Sequence, residues 1–273
     1  MAEQEKDRPE FLDSAALRAH PQFASTLANG LAVLGCFANG AGTLGNKDIA
    51  EQLAMSRPTV SRLTFTLVGL GYLRRDRQTS KYSLGPAVLS LGYPLLSQLT
   101  IRQVAAPAML ELARYAHGPV SVGARDRFQV VYVETVQDQE SNDTKPGVGS
   151  TRPFLRTAIG RALLYCQDKP ERALILKRLQ QAYPDDWEKF RPGLDTAFSE
   201  IDTPGFCAVA GDWRPTLAAV AVPMKGEVKG MSLALNLTVT SYATDRSRLE
   251  KDLGPRLLGL VHNIEYKLGL SKD

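Results

Sequence analysis

The sequence predicts an α+β protein of two domains, a small helical one followed by a larger one in which strands and helices alternate. Three observations carry that expectation. With 273 residues, the chain is longer than one hydrophobic core usually organises. As far as Gly85 its apolar residues recur mostly at helical spacing, whereas beyond Pro119 runs with strand character are interleaved with helical ones. The composition, 44% hydrophobic and 23% charged, is that of an ordinary soluble protein, and no uninterrupted apolar run approaches the roughly 18 residues of a membrane span.

The elements follow in order. Residues 1–20 are polar and read as a flexible tail, and the opening MAEQEKDRPEFLD has no apolar core of the signal-peptide type, so a cytoplasmic location and no membrane partner are expected. In ASTLANGLAVLGCFANG, Leu27, Leu31, Leu34 and Phe37 predict a first helix. Gly40, Gly42 and Gly45 end it, and Asn46 stands as N-cap of a second helix, KDIAEQLA, which closes near Met55. Ser56 caps a third helix with Pro58 in its first turn, where a missing N–H is harmless, and Gly69 and Gly71 close it. YLRRD and KYSLG, joined by the polar RQTS, form a small hairpin. PAVLSLGYPLLSQL gives a linker helix over 86–100, broken near Pro94. A helix from Thr100 to His117 then opens a second domain, 101–273. There PVSVGAR and FQVVYVETV read as strands, TAIGRALLYCQ as a helix, PERALILKRLQQAY as another within the amphipathic surface segment PERALILKRLQQAYPDDWEKF, and RPGLDTAFSEI as a third. Strands TLAAVAVPM and VKGMSLALNLTV and a C-terminal helix from Asp245 complete it.

Several function classes find no support. Cys36, Cys166 and Cys207 are unpaired in spacing and odd in number, which favours core packing over a disulfide framework. His20, His117 and His262 are equally scattered, so no metal site assembles. No carboxylate pair or nucleophile with a base at working spacing stands out, so no catalytic residue and no cofactor are expected. GAGTLG, from Gly40 to Gly45, formally satisfies the dinucleotide pattern G-x-G-x-x-G, but it follows a helical segment and lacks the acidic residue expected about 20 positions later.

Positive evidence lies in NKDIAEQLAMSRPTVSRLTFTLVGLGYLRRD. Ala50 supplies the small residue that lets two helices cross, Ala54 the small residue of a tight turn, and Val60, Leu63 and Leu67 one apolar face. Ser56, Arg57, Pro58, Thr59, Ser61 and Arg62 are thereby left at the exposed N-terminus and outer face of the third helix. Hydroxyls and arginines suit contact better than solvation, and a helix N-terminus attracts phosphate. The chain's net charge is only +4, yet Met55 to Gly85 holds six basic residues, Arg57, Arg62, Arg74, Arg75, Arg77 and Lys81, against one acid, Asp76. Local basicity on a helix and hairpin is what a winged helix-turn-helix presents to double-stranded DNA, with Arg75 and Lys81 on the wing.

The stretch from FASTLANGLAVLGCF to KYSLGPAVLSLG resembles the N-terminal winged helix of the isocitrate lyase regulator (IclR) family of bacterial transcription factors. The likeness continues through GSTRPFLRTAIGRALL and PGFCAVAGDWRPTLAAVAVPMKGEVKGMSLALNLT. The resemblance implies a winged helix-turn-helix over 21–85, a linker helix, and a GAF-like α/β effector-binding domain, working as a homo-oligomer, either a dimer or a dimer of dimers. Such proteins respond to a small-molecule carboxylate. Here Leu155 and Arg156 replace the family's frequent histidine and small residue, Asp212, Trp213 and Ala219 fill positions usually acidic or cysteine, and Asn236 and Thr238 replace paired hydroxyls. The expected ligand set is Arg156, Thr157, Ala158, Ile159, Trp213, Ala219, Asn236 and Thr238. The helix start at Ala158 and Ile159 would offer N–H donors, Asn236 and Thr238 the polar end, Trp213 an apolar wall, and Ala219 extra room. Of Arg152 and Arg156, one is expected to face solvent. A second reading is a small-metabolite enzyme with an N-terminal helical oligomerisation module.

Overall fold

The structure is a computed structural model that describes residues 14–38, 40, 42–138 and 146–270. It divides into two compact units between Gln98 and Leu99. Residues 1–13 of the expected tail lie outside the described residues, but its remainder is not featureless, because Ser14–Ala19 forms a short helix, α1.

The first unit packs α2 (Ser25–Gly35), α3 (Asn46–Leu53) and α4 (Arg57–Gly69) around Val33, Phe37, Ile49, Ala50, Val60, Leu63 and Leu67. Strands β1 (Leu73–Arg75) and β2 (Tyr82–Leu84) pair antiparallel, and Leu44 bridges to Tyr82 alongside them. Leu73 and Tyr82 point into the same core. The hairpin closes against the end of α4 so tightly that a Cβ on Gly85 would stand 2.0 Å from the Gly71 carbonyl oxygen, which only glycine avoids.

Two sequence expectations fail here for physical reasons. Asn46 does not cap α3: Gly45 holds that position, and the Asp48 carboxylate accepts its N–H at 2.8 Å. Asn46 is engaged elsewhere, its Oδ1 accepting the buried Thr64 hydroxyl at 3.2 Å and tying α3 to α4. The linker is not broken at Pro94 either, since α5 runs unbroken from Ala87 to Gln98. A proline removes one intrahelical bond and bends a helix, and an exposed helix can turn the freed carbonyl to water.

The second unit begins with α6 (Ile101–Ala116). It is built on a six-stranded antiparallel sheet in the order β5-β4-β3-β8-β7-β6, comprising β3 (Val120–Asp126), β4 (Gln129–Val136), β5 (Thr151–Pro153), β6 (Cys207–Ala210), β7 (Leu217–Val228) and β8 (Met231–Thr240). One face, with Val130, Tyr132, Val209, Ala221 and Ala234, packs on α7 (Ala158–Cys166), α8 (Lys169–Ala182) and α9 (Pro184–Asp202). Leu233, Leu235 and Leu237 alternate with Ala234 and Asn236, so they face the other way and are fully buried there. The chain ends in α10 (Arg246–Arg248), a π-helical stretch over Leu249–Leu253 and α11 (Gly254–Lys267), which lies against β7 and α6.

PERALILKRLQQAYPDDWEKF is not one helix. Pro184 clashes with a helical predecessor, so Tyr183 leaves the helical region (φ −137°, ψ 63°), α8 stops at Ala182 and α9 starts anew. PDDWEKF therefore belongs with RPGLDTAFSEI in α9.

Candidate functional site

Two surfaces concentrate the chemistry, one in each unit. In the first, the Ser56 Oγ accepts the Thr59 N–H at 3.3 Å and lies 2.8 Å from the Thr59 hydroxyl, fixing the start of α4. Ala54 adopts a left-handed conformation (φ 51°, ψ 40°), which turns α3 sharply into α4. Val60, Leu63, Thr64 and Leu67 are buried, so Arg57, Pro58, Ser61 and Arg62 stand exposed and Thr59 is half-buried. Phe65, at 81% exposure, continues that outer stripe. Sequence reading missed it, although its spacing from Ser61 and Arg62 placed it there.

The hairpin carries Arg74, Arg75, Arg77 and Lys81, all exposed. The Arg75 Nη2 donates to Ser80 Oγ at 3.2 Å. Asp76, the lone acid of the stretch, is used by the turn itself. Its carboxylate accepts the N–H groups of Gln78 (3.0 Å) and Thr79 (2.7 Å) and the Thr79 hydroxyl (2.9 Å). Those bonds, the Thr79 N–H foremost, hold its carboxyl below the usual range. The exposed surface of α4 and the hairpin is therefore cationic and apolar.

In the second unit a cavity of about 300 Å³ opens between the start of α7, the loop Gly211–Arg214 and the ends of β7 and β8. It brings together Arg156, Thr157, Ala158, Trp213, Ala219, Asn236 and Thr238 of the expected set, with Tyr132, Arg152, Asp212 and Arg214 in addition. Ile159 is not among the lining residues. It is buried, and its side chain reaches the space beside Gly123 and Val130. One residue further into α7 is a rotation of about 100°, enough to turn a side chain from cavity to core.

The polar groups of the cavity are arranged unevenly. Thr157 caps α7, accepting the Gly160 N–H at 3.2 Å and donating to the Pro153 carbonyl at 2.7 Å. The first-turn N–H groups of Ala158 and Ile159 have no intrahelical acceptor. Asn236 Nδ2 donates to Thr238 Oγ1 at 2.9 Å, while its Oδ1 is buried without a hydrogen-bond partner. Burial pushes the Tyr132 phenol up, and the charge of Arg152 and the nearness of Asn236 oppose it, yet no bond of normal geometry closes on Asn236 Oδ1.

The charges are pinned in two cases. Arg156 grips Asp186 through both Nε and Nη2 and lies over Phe190, so it faces protein as much as cavity. Arg161, almost fully buried, binds the Leu155 carbonyl at 2.9 Å and pairs with Asp212. Trp213 is not a bare apolar wall. The guanidinium carbons of Arg152 and Arg214 lie 4.6 and 4.5 Å from its ring centroid, and Arg152 also lies 5.1 Å from that of Tyr132. The thiols take no part: Cys166 and Cys207 donate weakly to backbone carbonyls, and burial pushes both up to about 12. Among the described residues no group of His, Cys, Asp and Glu could hold a metal ion, and no helix is long and apolar enough to cross a membrane.

Both units are similar to domains of known proteins. Residues 26–77 match the IclR helix-turn-helix domain, and residues 94–266 match the bacterial transcriptional regulator IclR C-terminal domain. The chain belongs to the IclR family. A crystal structure of an IclR family transcriptional regulator from Brucella abortus is 39% identical, with a TM-score of 0.83 over 95% of this chain and 98% of that one. The HTH-type transcriptional regulator TsaQ1/TsaQ2 of Comamonas testosteroni is 29% identical over 89% of this chain and 88% of its own length. An IclR homolog from Microbacterium hydrocarbonoxydans, solved with 4-hydroxybenzoate, shares the fold (TM-score 0.68) at 22% identity over 90% of this chain and 100% of that one. As an IclR protein this chain is a transcriptional regulator, with a DNA-binding domain and an effector-binding domain, and not an enzyme.

Proposed function

We propose that the protein binds a two-fold symmetric operator in the cytoplasm, as a dimer or a dimer of dimers, and that a small organic acid in the cavity of the second unit changes that binding. In this reading 21–85 binds DNA, 86–100 links, and 101–273 holds the effector. Arg57, Ser61 and Arg62 face base edges and phosphates, Ser56, Pro58 and Thr59 set the helix start that approaches the backbone, and Arg75 and Lys81 follow the wing. Arg156, Thr157, Ala158, Trp213, Ala219, Asn236 and Thr238 line the effector site. An acid with a ring suits it better than a two- or three-carbon acid, because Ala219 leaves room where a larger side chain would take it.

The observation that carries the effector reading is the buried Asn236, whose Oδ1 has no partner and whose residue lines a cavity that also receives the start of α7. An unmet buried acceptor is costly, and a ligand hydroxyl or N–H that donates to it, on an acid whose carboxylate meets the start of α7, recovers that cost. Calorimetry of the full chain with a panel of catabolic acids tests it, alongside operator affinity. An acid that shifts operator binding should bind Asn236→Ala at least tenfold more weakly; equal binding to both proteins would place the effector elsewhere.

A further inference from the structure

The cavity's charges do not balance, and the imbalance has a location. Arg156 is satisfied by Asp186 and Arg161 by Asp212, so both acids near the cavity are spent. Arg152 and Arg214 are left, and both line the cavity. Among the described residues neither is in a salt bridge. Arg152 donates Nη1 to the Thr151 carbonyl at 2.7 Å and is otherwise packed between aromatic rings, while Arg214 is exposed. Their guanidinium groups converge on one indole, Trp213, at 4.6 and 4.5 Å. Burial and the charge of Arg214 lower the Arg152 pKa, whereas Tyr132 supports it. Two like charges that both pack on one ring repel, and repulsion in a partly buried site is weakly screened. An anion on each relieves it, and a guanidinium takes a carboxylate through two parallel N–H donors.

A single carboxylate leaves this site half used. Among the lining residues Ala158, at the start of α7, is buried and Arg152 half-buried, whereas Arg214 is exposed. We infer that the effector carries two acidic groups, one held by Arg152 with the start of α7 and the other by Arg214. This rests on the reading of the cavity as the effector site, and it narrows the ligand class from small carboxylates to diacids. A cavity of about 300 Å³ holds a benzene ring or a six-carbon chain with both acids attached.

The test uses matched pairs that differ by one acid: benzoate against phthalate and terephthalate, and hexanoate against adipate. Calorimetry is run on the full chain, on Arg214→Gln and on Arg152→Gln, with thermal melting to show that each variant folds. The expected result is that at least one diacid binds tenfold or more tightly than its mono-acid. Arg214→Gln should erase that preference by weakening the diacid much more than the mono-acid, and Arg152→Gln should weaken both. A mono-acid that binds as tightly as its diacid, or a preference that survives Arg214→Gln, overturns the diacid inference while leaving the effector site standing. If neither these acids nor their hydroxylated counterparts bind the wild type, or if the hydroxylated ones that bind ignore Asn236→Ala, both readings fall together.

Discussion

At the scale of single residues, two positions show how backbone and packing demands outweigh side-chain identity. Ala54 sits at φ 51°, in a left-handed region that costs an L-residue about 1–2 kcal/mol and glycine nothing. Glycine also loses more freedom on folding, by roughly 0.5–1 kcal/mol. Ala54→Gly should therefore stabilise the N-terminal unit by up to about 1 kcal/mol, read as a rise in melting temperature of the full chain; a fall would contradict the turn geometry. Gly123 makes the opposite case. A Cβ there would meet Val130 Cγ1 at 2.6 Å and Ile159 Cδ1 at 2.7 Å, so Gly123→Ala should destabilise by ~1–3 kcal/mol through overpacking. Adding Ile159→Val removes the methyl it strikes and should restore part of the loss. Ile159→Val alone should leave effector affinity unchanged. The sequence placed Ile159 beside Ala158 at a helix start and stopped there, because adjacency along the chain does not reveal which of two neighbours faces the sheet. Asn46 was misjudged for the same reason: its partner, Thr64, is local only after α3 and α4 have packed.

At the scale of elements, local signals were most legible where they are strongest. The Ser56 and Pro58 start of α4, its apolar face and the β1–β2 hairpin were readable because caps, helical period and turn residues act within a few positions. The short edge strands β5 and β6 were not, since three and four residues carry no periodicity. The end of α8 near Tyr183 was legible in PERALILKRLQQAY, whereas the helical character of PDDWEKF, which belongs to α9, was not. On α4, replacing Arg57 or Arg62 with Ala should weaken operator binding by ~1–3 kcal/mol if the residue reads a base, and more evenly across sequences if it touches phosphate. Fluorescence anisotropy on operator and scrambled duplexes separates the two, and unchanged affinity in the double variant would remove α4 from the interface. The hairpin turn adds a pH dependence. Asp76 has its folded-state pKa depressed by the Thr79 bonds, so its contribution is fully present above the ordinary carboxylate pKa of about 4. That contribution is lost as pH falls through the lower folded value. The Thr79 amide resonance should report this on acidification, and Asp76→Asn should flatten the response.

At the scale of the whole molecule, the linker makes the clearest demand for a partner. α5 is apolar through most of its length, yet no residue of it is buried, and Leu89, Leu91, Tyr93 and Leu95 are 77%, 65%, 69% and 53% exposed. A helix apolar around its circumference is stable in water only when covered. Leu27 and Leu31 on α2 are exposed as well, at 63% and 57%, so the first unit offers apolar surface on two helices. A second copy would cover such surface and would also set two α4 helices on successive major-groove faces of a symmetric operator, doubling the contacts of one domain. The full chain should therefore be at least dimeric by light scattering at micromolar concentration. Replacing Leu89 and Tyr93, one turn apart on α5, with Asp should lower that mass or loosen the assembly. The same variant should lose operator affinity much more than effector affinity, because the cavity is built within one second unit whereas the proposed symmetric operator would engage two first units. Each phosphate neutralised adds about 0.9 to the salt slope of binding, so a dimer that uses both basic faces should show a slope near twice that of the dissociated variant. A wild type that stays monomeric with and without DNA, or a variant with unchanged mass and slope, would assign α5 some other cover.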